Sequence, residues 1–141
     1  MNWQSNLIWI DDDVVSAIHE AQIAEHGGSL GVRDPGLLAS ALGRPRNAAA
    51  YSNPDIAELA ALYALGVIKN HPFIDGNKRV GAVLLELFLD LNGYDLTASD
   101  EAMLPIMLGV AAGKIADEQL VDWIRKNSAS RDLVPKPPAR S

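Results

Sequence analysis

The sequence contains no cysteine, and it has fewer basic than acidic residues. The lack of cysteine excludes disulfide bonds, thiolate metal sites and cysteine nucleophiles, and it suits a reducing compartment. The chain has 12 basic and 18 acidic residues, which gives a formal net charge of −6. Because binding along a nucleic acid requires a concentrated basic face, this balance argues against extended nucleic-acid binding.

Long hydrophobic runs are also missing. The longest apolar stretch, residues 59–68, is well short of the roughly 20 residues that a membrane-spanning helix needs. The first residues carry no basic region, and an acidic run at residues 11–13 follows almost at once, so no signal peptide is expected. These absences predict a cytoplasmic protein without membrane contact.

The remaining composition is that of a globular domain. The chain has 141 residues, of which 48% are hydrophobic and 21% are charged, enough to bury one core. We expect a single domain over residues 1–130 and a disordered, proline-rich tail over residues 131–141. The two flanks, residues 1–34 and 90–141, are acidic, whereas residues 35–89 carry a surplus of one positive charge. That surplus permits a small anionic ligand near the middle of the chain.

Hydrophobic spacing and capping signals predict an all-α fold with a small two-strand appendage. Helices are expected from residue 11 to the stop at Gly27-Gly28, over Gly36–Leu42, over Ile56–Lys69, over Gly76–Leu91, from the cap at Ser99, and over Asp117–Lys126. The helix over Ile56–Lys69 is apolar on nearly every face, which is typical of the centre of a bundle. The first helix is expected to place Val14, Ile18, Ala21 and Ala24/Glu25 near one face.

Several boundaries follow from local signals. Asp34-Pro35 is a cap followed by proline and opens the second helix, after which a loop is expected over Gly43–Pro54. Asn53-Pro54 repeats the cap-plus-proline signal before the third helix. Leu7–Ile10 is predicted to be a short strand or extended arm, and the extended Tyr94–Thr97 is its expected partner.

Chemically active side chains concentrate in residues 71–79, His-Pro-Phe-Ile-Asp-Gly-Asn-Lys-Arg, between the two most apolar helices. Gly76 can turn backbone N–H groups toward a ligand, and the N-terminus of the next helix adds partial positive charge, so this point is suited to an anion. Lys78 and Arg79 lie in the first turn, where cations are unfavourable unless an anion compensates them. Asp75 is placed to hold Mg²⁺, and the imidazole of His71 is suited to take a proton from a hydroxyl.

This segment resembles the signature of the Fic/Doc superfamily, and more closely that of its Doc (death-on-curing) toxin branch. The likeness extends to Gly31–Leu38 upstream and Leu91–Tyr94 downstream, and it covers roughly residues 7–127. Fic enzymes in general carry His-x-Phe-x-Asp/Glu-Gly-Asn-Gly-Arg-x-x-Arg and transfer AMP from ATP to a protein hydroxyl. Here Lys78 replaces the flexible glycine and Ala82 replaces the second arginine, a pattern that Doc toxins share.

The resemblance implies a helical Fic/Doc fold and a kinase of the Doc type, which uses ATP and Mg²⁺. Such an enzyme transfers the γ-phosphate of ATP to a threonine hydroxyl of elongation factor Tu and blocks translation. His71 would be the general base, and Asp75 would assist the metal and the phosphate. The contacts to ATP and the transferring phosphate would come from Gly76, Asn77, Lys78, Arg79 and, at the pocket edge, Lys69.

Two other functions stay open at this point: AMP transfer of the general Fic type, and a non-catalytic Fic-fold binding module. A P-loop is excluded because Gly76 lacks the required upstream glycine and Lys78 is not followed by Ser or Thr. The helix with which some Fic proteins restrain themselves is not found, so restraint would come from a separate, Phd-like antitoxin. His19 and His26 are predicted to be structural or surface residues.

Overall fold

A computed structural model describes residues 6–131 of the chain. This part contains six helices and a two-stranded antiparallel sheet, which confirms the all-α prediction. The elements are α1 (Asp12–His26), α2 (Pro35–Tyr51), α3 (Ile56–Asn70), α4 (Asn77–Leu91), β1 (Tyr94–Leu96), α5 (Asp100–Ala111), α6 (Asp117–Lys126) and β2 (Ser128–Ser130). Within residues 6–131, no helix is both long enough and apolar enough to cross a membrane.

Helix α3 lies at the centre of the bundle, as its sequence predicts. Eleven of its 15 residues are buried, and α2, α4, α5 and α6 all pack against it. Close helix contact requires Gly66, because a Cβ atom there would lie 3.0 Å from the backbone oxygen and the Cβ of Ala41. The loop that follows α3 therefore starts from a rigid, fully packed element.

Helix α2 is longer than predicted. It runs through Pro45 to Tyr51, so the predicted loop over Gly43–Pro54 is wrong for most of its length. Pro45 removes one helical hydrogen bond, but its ring is buried in the core, which offsets that loss. The predicted cap at Asn53 is also wrong, because Asp55 caps α3.

Helix α1 buries a stripe next to the predicted one, and of the predicted residues Ile18 is half-buried and packs against the core. The buried residues of α1 are Val15, His19 and Ile23, whereas Val14 is 40% exposed and Ala21 is exposed. The prediction passed over the true stripe because that stripe has a histidine at its centre. The helix ends at Gly27 as predicted.

The small sheet has a different partner from the predicted one. β1 pairs antiparallel with β2, with Tyr94 opposite Ser130, and Leu7–Ile10 is not a strand. The side-chain amide of Asn92 satisfies the backbone of this N-terminal arm instead, since it accepts from Ile8 N at 2.8 Å and donates to Ile8 O at 3.0 Å. Asn92 therefore takes the place of a neighbouring strand.

The predicted tail begins at Arg131, which is part of the described structure. Its backbone N–H donates to Gly93 O at 2.8 Å, and its guanidinium pairs with the carboxylates of Asp90 and Asp95. The rest of the predicted tail lies outside the described residues.

Candidate active site

The loop between α3 and α4 begins with a strained residue. His71 ends α3 with φ 53° and ψ 52°, and among residues 6–131 no other non-glycine residue has a positive φ. Left-handed backbone at a residue with a Cβ costs about 1–2 kcal/mol unless the surroundings enforce it. The side chain of His71 is exposed. The chain therefore holds this histidine at the surface in a conformation that it would not adopt alone.

Asn77 organises the loop from the inside. Only 4% of it is exposed, and its side-chain amide both accepts from Phe73 N and donates to Phe73 O, each at 3.0 Å. These two bonds fix which amide atom is nitrogen, and that nitrogen lies 3.1 Å from Nδ1 of His71. Because an amide nitrogen only donates, this contact favours the neutral tautomer of His71 with its proton on Nε2.

Asp75 is attached to the turn that follows α1. Its Oδ2 accepts from the backbone N–H of Ser29 at 2.7 Å, and within residues 6–131 its Oδ1 has no hydrogen-bond partner. The side chain is exposed. Among the described residues there is no group of three or more metal-ligating side chains. One carboxylate nevertheless fits Mg²⁺ that arrives with a nucleotide, because such an ion takes one or two carboxylates together with phosphate oxygens.

The N-terminus of α4 is open. Gly76 precedes it with φ 86°, no side chain caps it, and no acidic residue lies in its first turn. Lys78 and Arg79 are both exposed there. Unpaired backbone N–H groups, the helix dipole and two cations all make this point positive, so it attracts an anion.

His19 supports the loop, which confirms the structural alternative of its predicted role, although the sequence did not indicate its contacts. It is 4% exposed, its ring stacks on Phe73 with the ring centres 4.0 Å apart, and its Nε2 lies 3.0 Å from the carbonyl oxygen of Asp75. Because a carbonyl only accepts, Nε2 is the donor. The sequence signal for the burial of His19 was its spacing of four residues from Val15 and from Ile23.

A short extended segment, Gly31–Asp34, runs beside the loop. Ile74 N donates to Gly31 O at 3.1 Å, and Pro72 O accepts from the N–H groups of Arg33 and Asp34 at 2.6 and 3.1 Å. Val32 and Phe73 form an isolated antiparallel bridge. These backbone bonds attach the loop to a second part of the chain.

Of the site residues predicted from the sequence, one lies apart from the others. His71, Asp75, Gly76, Asn77, Lys78 and Arg79 share the loop and the first turn of α4. Lys69 points to α6 instead, where its Nζ lies 2.6 Å from Oδ1 of Asp117 in a half-exposed ion pair.

The chain is similar to known proteins over most of its length. The Fic/DOC family model matches residues 9–89. The chain is 32% identical to "Protein kinase doc" of Escherichia phage P1 over 118 residues, which cover 83% of this chain and 93% of that protein. It is 40% identical to "Toxin Doc" of Mycolicibacterium smegmatis over 75 residues, or 51% of this chain and 57% of that protein. The chain belongs to the Fic/DOC family.

Proposed function

We propose that this protein is a Doc-type toxin that transfers the γ-phosphate of ATP to a threonine hydroxyl of elongation factor Tu. One observation carries the proposal: an exposed histidine, His71, lies one short loop away from a helix N-terminus that has cations and no cap. The similarity to a protein kinase over 93% of that protein's length supports the same reaction. Such a substrate would place the protein in the cytoplasm.

The α4 N-terminus supplies the charge that phosphoryl transfer needs. In this reaction the protein mainly positions the groups and stabilises negative charge on the transferring phosphoryl oxygens. Lys78, Arg79 and the first backbone N–H groups of α4 can all contact those oxygens. The amide side chain of Asn77 does not join them in this proposal, because Phe73 and His71 already occupy it.

His71 acts as the general base in this proposal. Its Nδ1 faces Asn77, so Nε2 is the ring nitrogen that the loop leaves for a substrate hydroxyl. Taking a proton at Nε2 requires that the ring proton first lies on Nδ1, and the hydrogen bond from Asn77 is then lost. The proton transfer is therefore coupled to a small adjustment between these two side chains.

Asp75 is the proposed magnesium ligand, through Oδ1. Bound Mg²⁺ would neutralise charge on the nucleotide phosphates. Ser29 N holds the other carboxylate oxygen, and His19 holds the carbonyl of the same residue, so the carboxylate is fixed before ATP arrives. Lys69 joins the site only after it leaves Asp117.

We assign the antitoxin, a separate Phd-like chain, to the groove between α1, α4 and α5. This groove of about 390 Å³ has Met103, Leu104 and Ala82 in its apolar part and Glu25, Glu86 and Asp100 among its acidic residues, and it reaches Arg79. Burial, with the nearby charges of Asp100 and Asp90, raises the pKa of Glu86. An amphipathic helix with basic side chains fits such a surface and would cover Arg79.

The reaction is tested with ATP that carries label on either the α- or the γ-phosphate, incubated with elongation factor Tu. Transfer of γ label alone supports the kinase, whereas transfer of α label would identify an adenylyltransferase. His71→Ala should abolish the transfer, and His26→Ala is the matched control, because His26 lies at the end of α1 beside Glu25. If no label moves and His71→Ala remains as toxic as the wild type, the protein acts by binding alone.

A further inference from the structure

The side chain of Arg33 forms hydrogen bonds to the C-terminal end of α3. Its Nε donates to the carbonyl oxygen of His71 at 2.7 Å, and its Nη2 donates to the carbonyl oxygen of Asn70 at 3.0 Å. Both acceptors belong to the last turn of the helix, where carbonyl groups have no partner in the helix itself. One guanidinium therefore holds the two residues at which the chain leaves α3.

The two Arg33 hydrogen bonds hold residues that the backbone pairing does not reach. The segment Gly31–Asp34 binds the loop through backbone bonds at Pro72 and Ile74 only. Asn70 has an additional anchor, a hydrogen bond from its side chain to Leu37 O at 3.1 Å. The carbonyl of His71, the residue with the strained backbone, is held by Arg33.

The geometry points to Arg33 as a positioning residue that keeps His71 in its left-handed conformation. We propose that without the two guanidinium bonds His71 relaxes out of this conformation, and its imidazole then leaves the position beside Asn77 and the α4 N-terminus. The inference rests on the proposed function only for its kinetic consequence, since the conformation of His71 can be measured in the free protein.

Lysine cannot replace Arg33 in this role. A guanidinium presents two N–H groups in a fixed, planar fork, whereas an ammonium group is a single point charge on a flexible chain. Arg33→Lys therefore keeps the charge near the site but loses the pair of hydrogen bonds. A direct role of Arg33 in binding the phosphates of ATP predicts the opposite pattern, because charge alone would then account for most of its effect.

The kinetic test compares Arg33→Lys and Arg33→Gln with a matched control, Arg44→Lys. Arg44 lies on α2 and makes no hydrogen bond or ion pair within residues 6–131. We expect both Arg33 variants to lower kcat for γ-phosphate transfer by about 10- to 100-fold while KM for ATP changes by less than about threefold. The control should match the wild type in both constants.

The structural test is independent of any reaction. In the free protein, the three-bond coupling between the amide and α protons of His71, and its backbone chemical shifts, report its φ angle. They should indicate the left-handed region in the wild type and in Arg44→Lys, and should leave it in both Arg33 variants. If wild-type protein transfers no phosphate, the proposed function fails, and this measurement alone then supports or overturns the role of Arg33.

Two results would overturn the inference. One is an unchanged coupling at His71 in folded Arg33→Lys and Arg33→Gln. The other is a higher KM for ATP at constant kcat in Arg33→Gln together with normal kinetics in Arg33→Lys, since that pattern identifies a phosphate ligand.

Discussion

The N-termini of α3 and α4, the two helices that flank the loop, are built in opposite ways. Helix α3 begins with a complete capping box, in which Asp55 accepts from Glu58 N at 2.9 Å and Glu58 accepts from Asp55 N at 3.1 Å. Arg125 also pairs with Asp55 at 2.8 Å. Helix α4 begins after Gly76, with no cap and with Lys78 and Arg79 in its first turn.

The difference lies in what balances the positive end of each helix. At α3, the positive end of the helix is satisfied by the chain's own carboxylates, so nothing is left for a ligand. At α4, the same potential stays open and is reinforced by cations that destabilise the free helix. In our proposal this unfavourable end is kept because it binds an anion.

The largest effect is expected when α4 receives an acidic first turn like that of α3. In Arg79→Glu, a carboxylate occupies the positive end of the helix and repels phosphate. We expect phosphate transfer to fall by about 10²- to 10³-fold, while the free energy of unfolding rises by about 0.3–1 kcal/mol. Transfer of γ label and urea denaturation measure the two effects.

Lys126→Glu is the control for that change. It makes the same charge reversal on an exposed cation, but in the last turn of α6, where a carboxylate is unfavourable to the helix dipole. It should lower stability slightly and leave transfer intact. Loss of stability in Arg79→Glu with normal transfer would contradict the functional interpretation of the α4 N-terminus.

Removal of Asn77 should have the next largest effect. Asn77→Ala leaves the N–H and C=O of Phe73 without their side-chain partner in a buried place, which costs about 1–3 kcal/mol of stability. Urea denaturation measures this loss, and the exposed Asn47→Ala on α2 is the comparison. A loss no larger than that of the control would mean that the loop does not depend on the amide.

The cap of α3 should matter for stability alone. Partial burial raises the pKa of Asp55, but the hydrogen bonds from Arg125 and from Glu58 N lower it by more. The pKa of Asp55 therefore lies below its ordinary value. Asp55→Asn keeps a side chain that can cap the helix, but it cannot form the ion pair with Arg125. We expect it to lose stability by up to about 1 kcal/mol, discounted because the side chains of Asp55 and Arg125 are about half exposed, with unchanged phosphate transfer.

The difference in stability between the wild type and Asp55→Asn should depend on pH. A carboxyl group with a lowered folded-state pKa stabilises the protein above its unfolded pKa of about 3.9, and the stabilisation disappears as the pH falls through the folded value. The gap in urea midpoint between wild type and Asp55→Asn should therefore be present at pH 7 and shrink below pH 4. A gap that stays constant across this range would contradict the assigned cause.

The smallest expected effect concerns Lys69. Asp117 lies in the first turn of α6 and holds Lys69 in an exposed ion pair, so Asp117→Asn should cost less than about 1 kcal/mol. If Lys69 is an occasional phosphate ligand, this variant should lower KM for ATP about twofold without changing kcat. An unchanged KM would remove Lys69 from the site.

The sequence predicted those features that depend on neighbouring residues. The bounds of α6, the Ser99 cap of α5 and the stop of α1 at Gly27 are all local and were correct. The cations after Gly76 marked an unusual helix start, and the loop motif indicated the family that the comparisons confirm.

The errors involve contacts between distant parts of the chain. The partner of β1 lies about 35 positions further on rather than at the N-terminus, because the amide of Asn92 already satisfies Ile8. His19 lies 56 positions from Asp75, and Arg33 lies 38 positions from His71. No local spacing encodes such contacts, so the support of the loop became visible only in three dimensions.

The open N-terminus of α4, with His71 beside it, is the proposed site of phosphoryl transfer. Phosphorus NMR of the wild-type protein with ATP, Mg²⁺ and elongation factor Tu tests this proposal most directly, because the spectrum identifies both products. We expect ADP and a phosphorylated threonine, with no pyrophosphate, and no reaction with His71→Ala. Release of pyrophosphate with AMP attached to the protein would contradict the proposal.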